Sequence, residues 1–281
     1  MTTETGNPIF NRTALLLGDE TMQRLAATRV IVFGVGGVGS WCAEALIRSG
    51  IGHITIVDSD RVSPTNVNRQ AMATSCTVNQ VKVDAMRARM LQIAPDADVI
   101  ARQEIFSAGT AHLFDLQQYD YIIDAIDSLS NKMELLVYAT SKESSACLGD
   151  SRRPTLFSSM GAALKMDPTQ VRVSEFWEVD GCPLAAALRR RMRRLKRFPG
   201  RKFKCVWSPE VLPNRGTTLY AEPVASTTPR ESTADGGADP ASHDWNLRKA
   251  QINGSVVTIT GIMGFTLAGL VMQDIMNSTR R

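Results

Sequence analysis

Between residues 57 and 70 the run VDSDRVSPTNVNRQ crowds Asp58, Asp60, Asn66, Arg69 and Gln70 into one short segment. That mixture suits a ligand both hydroxylated and highly anionic: a carboxylate at a strand tip accepts hydrogen bonds from ribose hydroxyls, and a guanidinium neutralises phosphate. Just upstream, Gly34, Gly36 and Gly39 fill a G-x-G-x-x-G pattern, with Gly37 as an extra glycine. Glycines there let the chain turn tightly and let phosphate oxygens reach backbone N–H groups at a helix N-terminus, where the helix dipole favours negative charge. On their own these features fit NAD as well as ATP, or a turn that merely packs a helix against a strand. Lys82, at the start of a following helix, adds a second cation, and Asp127 in IDAIDS ends a strand-like run. Asp127 could hold Mg²⁺ or a metal-bound water, or could simply cap a helix. A hydride-transfer site has no use for cations beside the phosphates, whereas a triphosphate brings about four negative charges to the place where a bond must break. Arg69 and Lys82 therefore favour ATP with Mg²⁺ over NAD, unless both are ordinary surface charges.

The elements that must position these residues read as follows. VIVF is a buried strand, the glycine run opens an apolar-periodic helix through about Arg48, and HITIV is the next strand, making a right-handed βαβ unit. Asn79 to Ile93 reads as a helix stopped by Pro95, ADVIAR and YDYIIDAID as the third and fourth strands, and Ser128 as the cap of a helix to about Ser144. Strands alternating with helices predict an α/β fold with a doubly wound, mainly parallel, Rossmann-like sheet and a C-terminal α+β extension. The expected division is an N-terminal helical arm over 1–28, an ATP-binding domain over 29–160 and a substrate and dimer region over 161–281. In the last region TLFSSM, QVRVSEF and KFKCVWS predict strands, and PLAAALRRRMRRL a helix opened by Pro183. The polar segment 225–244 predicts a mobile loop. The uncharged run SVVTITGIMGFTLAGLVM predicts a strand followed by a buried helix, of a kind that suits a subunit interface, in preference to a membrane span.

Composition bounds the function. A net charge of +4 is mild, so any nucleic-acid contact has to come from local clustering. The 5 cysteines, Cys42, Cys76, Cys147, Cys182 and Cys205, form no C-x-x-C pair, which argues against a zinc knuckle or a redox dithiol and suits a reducing, cytoplasmic setting. Neither a secretory signal nor a transit peptide is recognisable in the first thirty residues. Cys182 before a helix is a candidate thiol, set against the usual inertness of buried cysteines. His53, His112 and His243 have no partner at ligand or triad spacing. From Arg189 to Lys204 the run RRRMRRLKRFPGRKFK holds ten basic residues and no acid, so that neighbouring helix positions repel one another. A polyanion would relieve this, with Arg190, Arg193, Arg194 and Arg197 as its candidate contacts, against a merely solvated basic face. Phe198 and Phe203 are core residues or bases' stacking partners.

Taken jointly, GVGGVGSWCAEALIRSGIGHITIVDSD, TNVNRQ, QVKVDAMRARMLQIAP and IDAIDS resemble the ATP-binding fold of the ubiquitin-activating-type adenylyltransferases over residues 10–160. That resemblance implies ATP contacts by Gly37, Asp58, Asn66, Arg69 and Lys82, and Mg²⁺ or phosphate contact by Asp127. Arg12 in NRTALLLG matches the arginine that reaches into the partner's site in such proteins, which implies a homodimer. Sulfur-transfer partners are a further association of the superfamily. The second half, with SSMGAALKMDPTQVRVSEFWEV, GCPLAAALRRRMRR and KFKCVWSPE, is similar to the tRNA threonylcarbamoyladenosine dehydratases. The activity so implied is ATP-dependent cyclisation of threonylcarbamoyladenosine beside the anticodon, through an acyl-adenylate, with AMP and pyrophosphate released. Activation of a small sulfur-carrier protein is the alternative, weakened by the missing cysteine pairs. An NAD-linked oxidoreductase and a non-catalytic nucleotide sensor are the remaining readings.

Overall fold

Unbroken burial along the first two strands decides how the layers form. In β1 (Arg29–Phe33) and β2 (His53–Val57), Val30, Val32, Ile54 and Ile56 face one side while Ile31, Phe33 and Val57 face the other, and all are buried. A strand apolar on both faces must be covered on both, so helices pack on each side. The structure is a computed structural model, and it describes residues 7–141, 153–216 and 253–279. The segment 225–244, Cys147 and His243 lie outside these residues.

The elements follow as α1 (Asn11–Leu17), α2 (Asp19–Ala27), β1, α3 (Gly37–Arg48), β2, α4 (Lys82–Ile93), β3 (Asp98–Arg102), β4 (Tyr121–Asp124) and α5 (Leu129–Thr140). After them come β5 (Thr155–Ser159), β6 (Arg172–Glu175), α6 (Pro183–Leu195), β7 (Lys204–Trp207) and α7 (Val257–Thr279). One seven-stranded sheet has the order β3-β2-β1-β4-β5-β7-β6, and every pairing is parallel except β6 with β7. The α/β expectation holds, and the sheet runs unbroken past residue 160. From β1 the chain builds outward to β3, then returns to β4 on the other side of β1. The reversal opens a crevice beyond the C-terminal ends of β1 and β4, where open α/β sheets bind ligands.

Two readings of local structure change. SVVTITG was expected to begin as a strand, yet α7 is one helix from Val257 onward. Its β-branched residues lower helix propensity by only tenths of a kcal/mol each. Packing overrides that, because Ile259, Met263, Leu267, Val271 and Ile275 fall on one helical face and are all buried against α3 and the sheet. Half of this apolar helix is buried, and Tyr121 donates to Asp274 at 2.9 Å. The helix expected from Asn79 starts at Lys82: Asn79 is left-handed (φ 70°), and Val81 forms an antiparallel bridge with Arg61. At α5, Ser128 takes the N-cap position without a side-chain capping bond, and the helix ends at Thr140.

The close crossing of α7 over α3 depends on Gly264, where a Cβ would lie 2.5 Å from the Val38 carbonyl oxygen and 2.9 Å from the Cys42 nitrogen. Gly264→Ala should therefore force the helices apart and cost about 1–3 kcal/mol in urea unfolding. Gly269→Ala, with nothing within 4 Å, should be neutral or slightly stabilising.

Candidate nucleotide-binding site

Four glycines stand at the tip of β1, each in different surroundings. Gly34 is left-handed (φ 84°), and a Cβ there would sit 2.7 Å from the Ala125 carbonyl oxygen. A Cβ on Gly39 would overlap the Gly34 carbonyl oxygen, so this residue lets α3 start hard against the strand. Gly37 lies under α7, with the Thr260 methyl 2.9 Å from its virtual Cβ. Only Gly36 faces open space, the nearest atom being Gln70 Nε2 at 3.9 Å. It is also the N-cap of α3, so the unpaired N–H groups of the first turn emerge beside it.

Asp58, at the end of β2, is held from two sides. One carboxylate oxygen accepts the Val35 N–H and the other the Asp60 N–H, each at 2.9 Å. The glycine turn and the following loop are thus tied to one side chain. Lys82 points back at the same place, with Nζ 2.7 Å from Asp60 and 4.0 Å from Asp58. Burial pushes the Asp58 carboxyl up, against the pull of Lys82. Burial would lower Lys82, but Asp58 and Asp60 outweigh it and hold the ammonium above its ordinary value. A buried lysine with two carboxylates stays charged, which is the state a phosphate requires.

Arg69 ends the short turn that begins at Pro64. Its guanidinium donates to the Thr65 carbonyl at 2.7 Å and to Asn68 Oδ1 at 2.9 Å, and its own carbonyl accepts the Trp41 indole N–H. Burial lowers its pKa, and the charge of Asp127 offsets part of that. Asp127 also raises Lys82, so this exposed carboxylate acts on both cations from the tip of β4. Asn66 is used locally: its Oδ1 accepts the Ser63 N–H in a capping box. Gln70 is buried, and its Oε1 has no hydrogen-bond partner. Gln70 turns its Nε2 toward Gly36, and its orphaned Oε1 is what a cradle awaiting a hydrogen-donating ligand leaves behind. A nucleoside triphosphate fits this donor set. A magnesium ion fits it too, because Mg²⁺ takes one or two carboxylates and completes its shell with phosphate oxygens and water.

The other expected residues lie elsewhere. Arg12 is exposed on α1; its neighbour Phe10 packs near Gly50, at the end of α3 remote from Gly36. A twelve-residue helix is about 18 Å long, so Arg12 stands well away from its own chain's glycine turn. Arg190, Arg193 and Arg194 are exposed on α6, whereas Arg197 is clamped by Glu134 at 2.6 and 2.8 Å. Cys182 is buried at the N-cap of α6, and among the described residues no group of three His, Cys, Asp or Glu could hold a metal.

Sequence reasoning missed Lys132. Fully buried on α5, it pairs with the equally buried Asp124 at 2.7 Å and donates to the Ile126 carbonyl at 3.0 Å. Asp124 also accepts the Ile126 N–H and the Ser158 hydroxyl. The peptide groups on both sides of Ile126, just before Asp127, are thereby fixed. The signal was a carboxylate inside the apolar run YIID, which demands a buried cation nearby.

A model described as the ThiF family matches residues 10–278. The chain belongs to the ThiF family. Among relatives, this ThiF-family chain is 43% identical to the tRNA threonylcarbamoyladenosine dehydratase of Bacillus subtilis over 185 residues, covering 66% of this chain and 69% of that one. It is 32% identical to the dehydratase of the same name from Escherichia coli, over 97% of this chain and 95% of that one. The crystal structure of the Escherichia coli enzyme, TcdA, in complex with ATP matches with a TM-score of 0.77 at 29% identity, covering 100% of this chain and 99% of that one.

Removing one partner of the buried pair should be far worse than removing both. Lys132→Met should cost about 3–5 kcal/mol in urea unfolding, and adding Asp124→Asn should recover part of it.

Proposed function

We propose that the chain is an ATP-dependent dehydratase that cyclises threonylcarbamoyladenosine next to the anticodon of tRNA. The carrying observation is the convergence of Lys82, Arg69 and Asp127 on the open side of a glycine turn, in a chain similar from end to end to a dehydratase crystallised with ATP. Expelling hydroxide from a carboxylate is unfavourable in water. In this reading the substrate carboxylate attacks the α-phosphorus of ATP, pyrophosphate leaves, and an acyl-adenylate forms. A neighbouring atom of the same side chain then closes the ring, and the carboxylate oxygen departs with AMP. Proximity supplies much of the rate of that second step, so no enzyme nucleophile is needed. A buried Cys182 without a thioester role is consistent with this.

The protein's part is electrostatic. The first turn of α3 receives phosphate, Asp58 accepts from ribose hydroxyls, Gln70 closes on the ligand, and Lys82 and Arg69 meet charge as it develops on the phosphates. Asp127 is the residue that would hold magnesium, which when bound neutralises phosphate charge and steadies the departing pyrophosphate. The exposed arginines of α6 receive the tRNA backbone, and a tRNA substrate places the enzyme in the cytoplasm.

A homodimer completes the reading. Leu15 and Leu16 on α1 are 80% and 82% exposed, and Ile262 and Phe265 form an uncovered apolar strip on α7. Such surface is rarely left to water. Pairing two chains through it would cover these side chains, and a two-fold axis would carry Arg12 to the partner's site.

Incubated with ATP, Mg²⁺ and tRNA carrying threonylcarbamoyladenosine, the protein should yield a nucleoside lighter by one water. Adenylation of a carrier protein ending in Gly-Gly, with the tRNA unchanged, would establish sulfur-carrier activation instead. Lys82→Ala and Arg69→Ala should each slow the reaction about 100-fold or more. Asp127→Asn should raise the magnesium requirement at least about tenfold. Because the Lys82 pKa is raised, its charge persists to higher pH than an ordinary lysine's. Its interaction with Asp58 and Asp60 is complete below the unfolded pKa and fades only as pH rises through the folded one. The pH profile should accordingly show no alkaline fall from Lys82 within the ordinary lysine range.

The dimer has its own test. Arg12→Ala and Lys82→Ala chains, each nearly inactive, should on mixing regain about one quarter of the wild-type activity. Half of the dimers are then mixed, and each has one intact site of two. No recovery would show that Arg12 does not serve the partner's site.

A further inference from the structure

The edge of the sheet carries an aromatic cluster that is half core and half surface. Phe176 and Phe203 are buried and stacked at 5.1 Å. Trp177 stands edge-on to Phe176 at 5.1 Å yet is 41% exposed, and Phe198, 6.3 Å from Trp177, is 48% exposed. Burying either ring further would have been favourable, so their exposure calls for a reason.

The platform is rigid. A reciprocal capping box between Glu175 and Glu178 holds the turn that bears Trp177. Arg189 reaches from α6 to the Phe176 and Val179 carbonyls, at 3.1 and 2.7 Å, and fastens that turn to the helix. Trp41 and Trp207 give their indole N–H groups to protein acceptors. Among the described residues, Trp177 gives its own to none.

Beside the ring is a cleft of about 460 Å³ lined by Trp177, Glu178, Asp180, Arg189, Arg190 and Arg193. Its charges are ordered. Arg190, Arg193 and Arg194 project outward from α6 with no carboxylate partner among the described residues. Glu178 and Asp180 lie on the turn side, where they repel phosphate but can accept from the amino edge of a base. A phosphate alone would be served by the arginines and would gain nothing from an indole.

We propose that Trp177, walled by Phe198, is a stacking platform for one unpaired base of the tRNA, with Arg190, Arg193 and Arg194 holding the adjoining phosphates. The base is not the one that reacts. Leu184, in the first turn of α6, packs near Gly161 just beyond the C-terminal end of β5, the end of the sheet that also carries the glycine turn. Phe198 lies past the other end of that thirteen-residue helix, about 20 Å further on. The platform therefore grips a nucleotide several positions along the strand from the modified one and sets the register of the strand. This inference rests on the tRNA-modifying reading above.

The test uses the full-length enzyme, tRNA carrying threonylcarbamoyladenosine, and the anticodon stem-loop as a binding probe. Trp177→Ala and Phe198→Ala should raise the KM for tRNA, with the larger effect at Trp177, about 5- to 100-fold, and kcat falling much less. Trp177→Phe should restore most of the loss, and unchanged ATP affinity without RNA confirms that each variant is folded. Stacking releases no counterions, so Trp177→Ala should leave the salt dependence of stem-loop binding unaltered, whereas Arg190→Ala with Arg193→Ala should flatten it. A KM within twofold of wild type for Trp177→Ala, or equal weakening of a fully paired hairpin, overturns the platform. If the wild type binds the stem-loop without dehydrating the tRNA, the enzymatic reading fails, and the Trp177→Ala dissociation constant still decides the platform.

Discussion

A lysine ammonium with no contact with solvent sits under the candidate site, and its neutralisation is the constraint on which the rest depends. Lys132 and Asp124 are both fully buried, 2.7 Å apart. Either charge alone would be a heavy burden, because leaving one partner of a buried pair unmatched costs about 3–5 kcal/mol of the roughly 5–15 kcal/mol by which a domain is stable. With Ser158 steadying Asp124, they hold the backbone of Ile126 by both its N–H and its carbonyl. The loop after β4 therefore has one conformation, and Asp127 leaves it in one direction. Asp58 does the equivalent on the other side of the crevice, fixing Val35 in the glycine turn and Asp60 in the loop that holds Lys82. Two carboxylates at the tips of two strands thus organise both walls, and neither has to touch phosphate to do so.

This arrangement separates support from chemistry. The groups with depressed freedom and full burial are those that brace the backbone, while the carboxylate suited to a metal is exposed. Preorganisation of this kind is the largest single contribution most enzymes make, since dipoles and charges already in position need not reorient when the transition state forms.

Much of the architecture was legible because it follows from patterns with few alternatives. Buried parallel strands read as unbroken apolar runs, a glycine run between two of them has few uses, and α6 appeared with its bounds set by Pro183 and Leu195. The cluster of Asp58, Arg69 and Lys82 was legible because those residue types so close to a glycine turn have few bland explanations. What escaped was whatever depended on a distant partner. A lysine on an amphipathic helix reads as surface until the strand carboxylate opposite it is known. Ten basic residues in one run look alike in sequence, yet Arg189, Arg197 and Arg201 are spent on internal acceptors, leaving others free to face outward. The β-branched start of α7 read as a strand because local preference was weighed without the groove on α3 that receives it.

That last helix closes the nucleotide cradle from far along the chain. Thr260 lies against Gly37 and donates to the Arg69 carbonyl at 3.4 Å across a separation of 191 residues. Contacts between such remote segments form late and slowly, because a long stretch of chain must be ordered first. During synthesis, then, the glycine turn and its cations emerge early but stay unroofed until α7 has left the ribosome. A half-made chain would carry the sequence marks of a nucleotide site and lack the wall that shapes it.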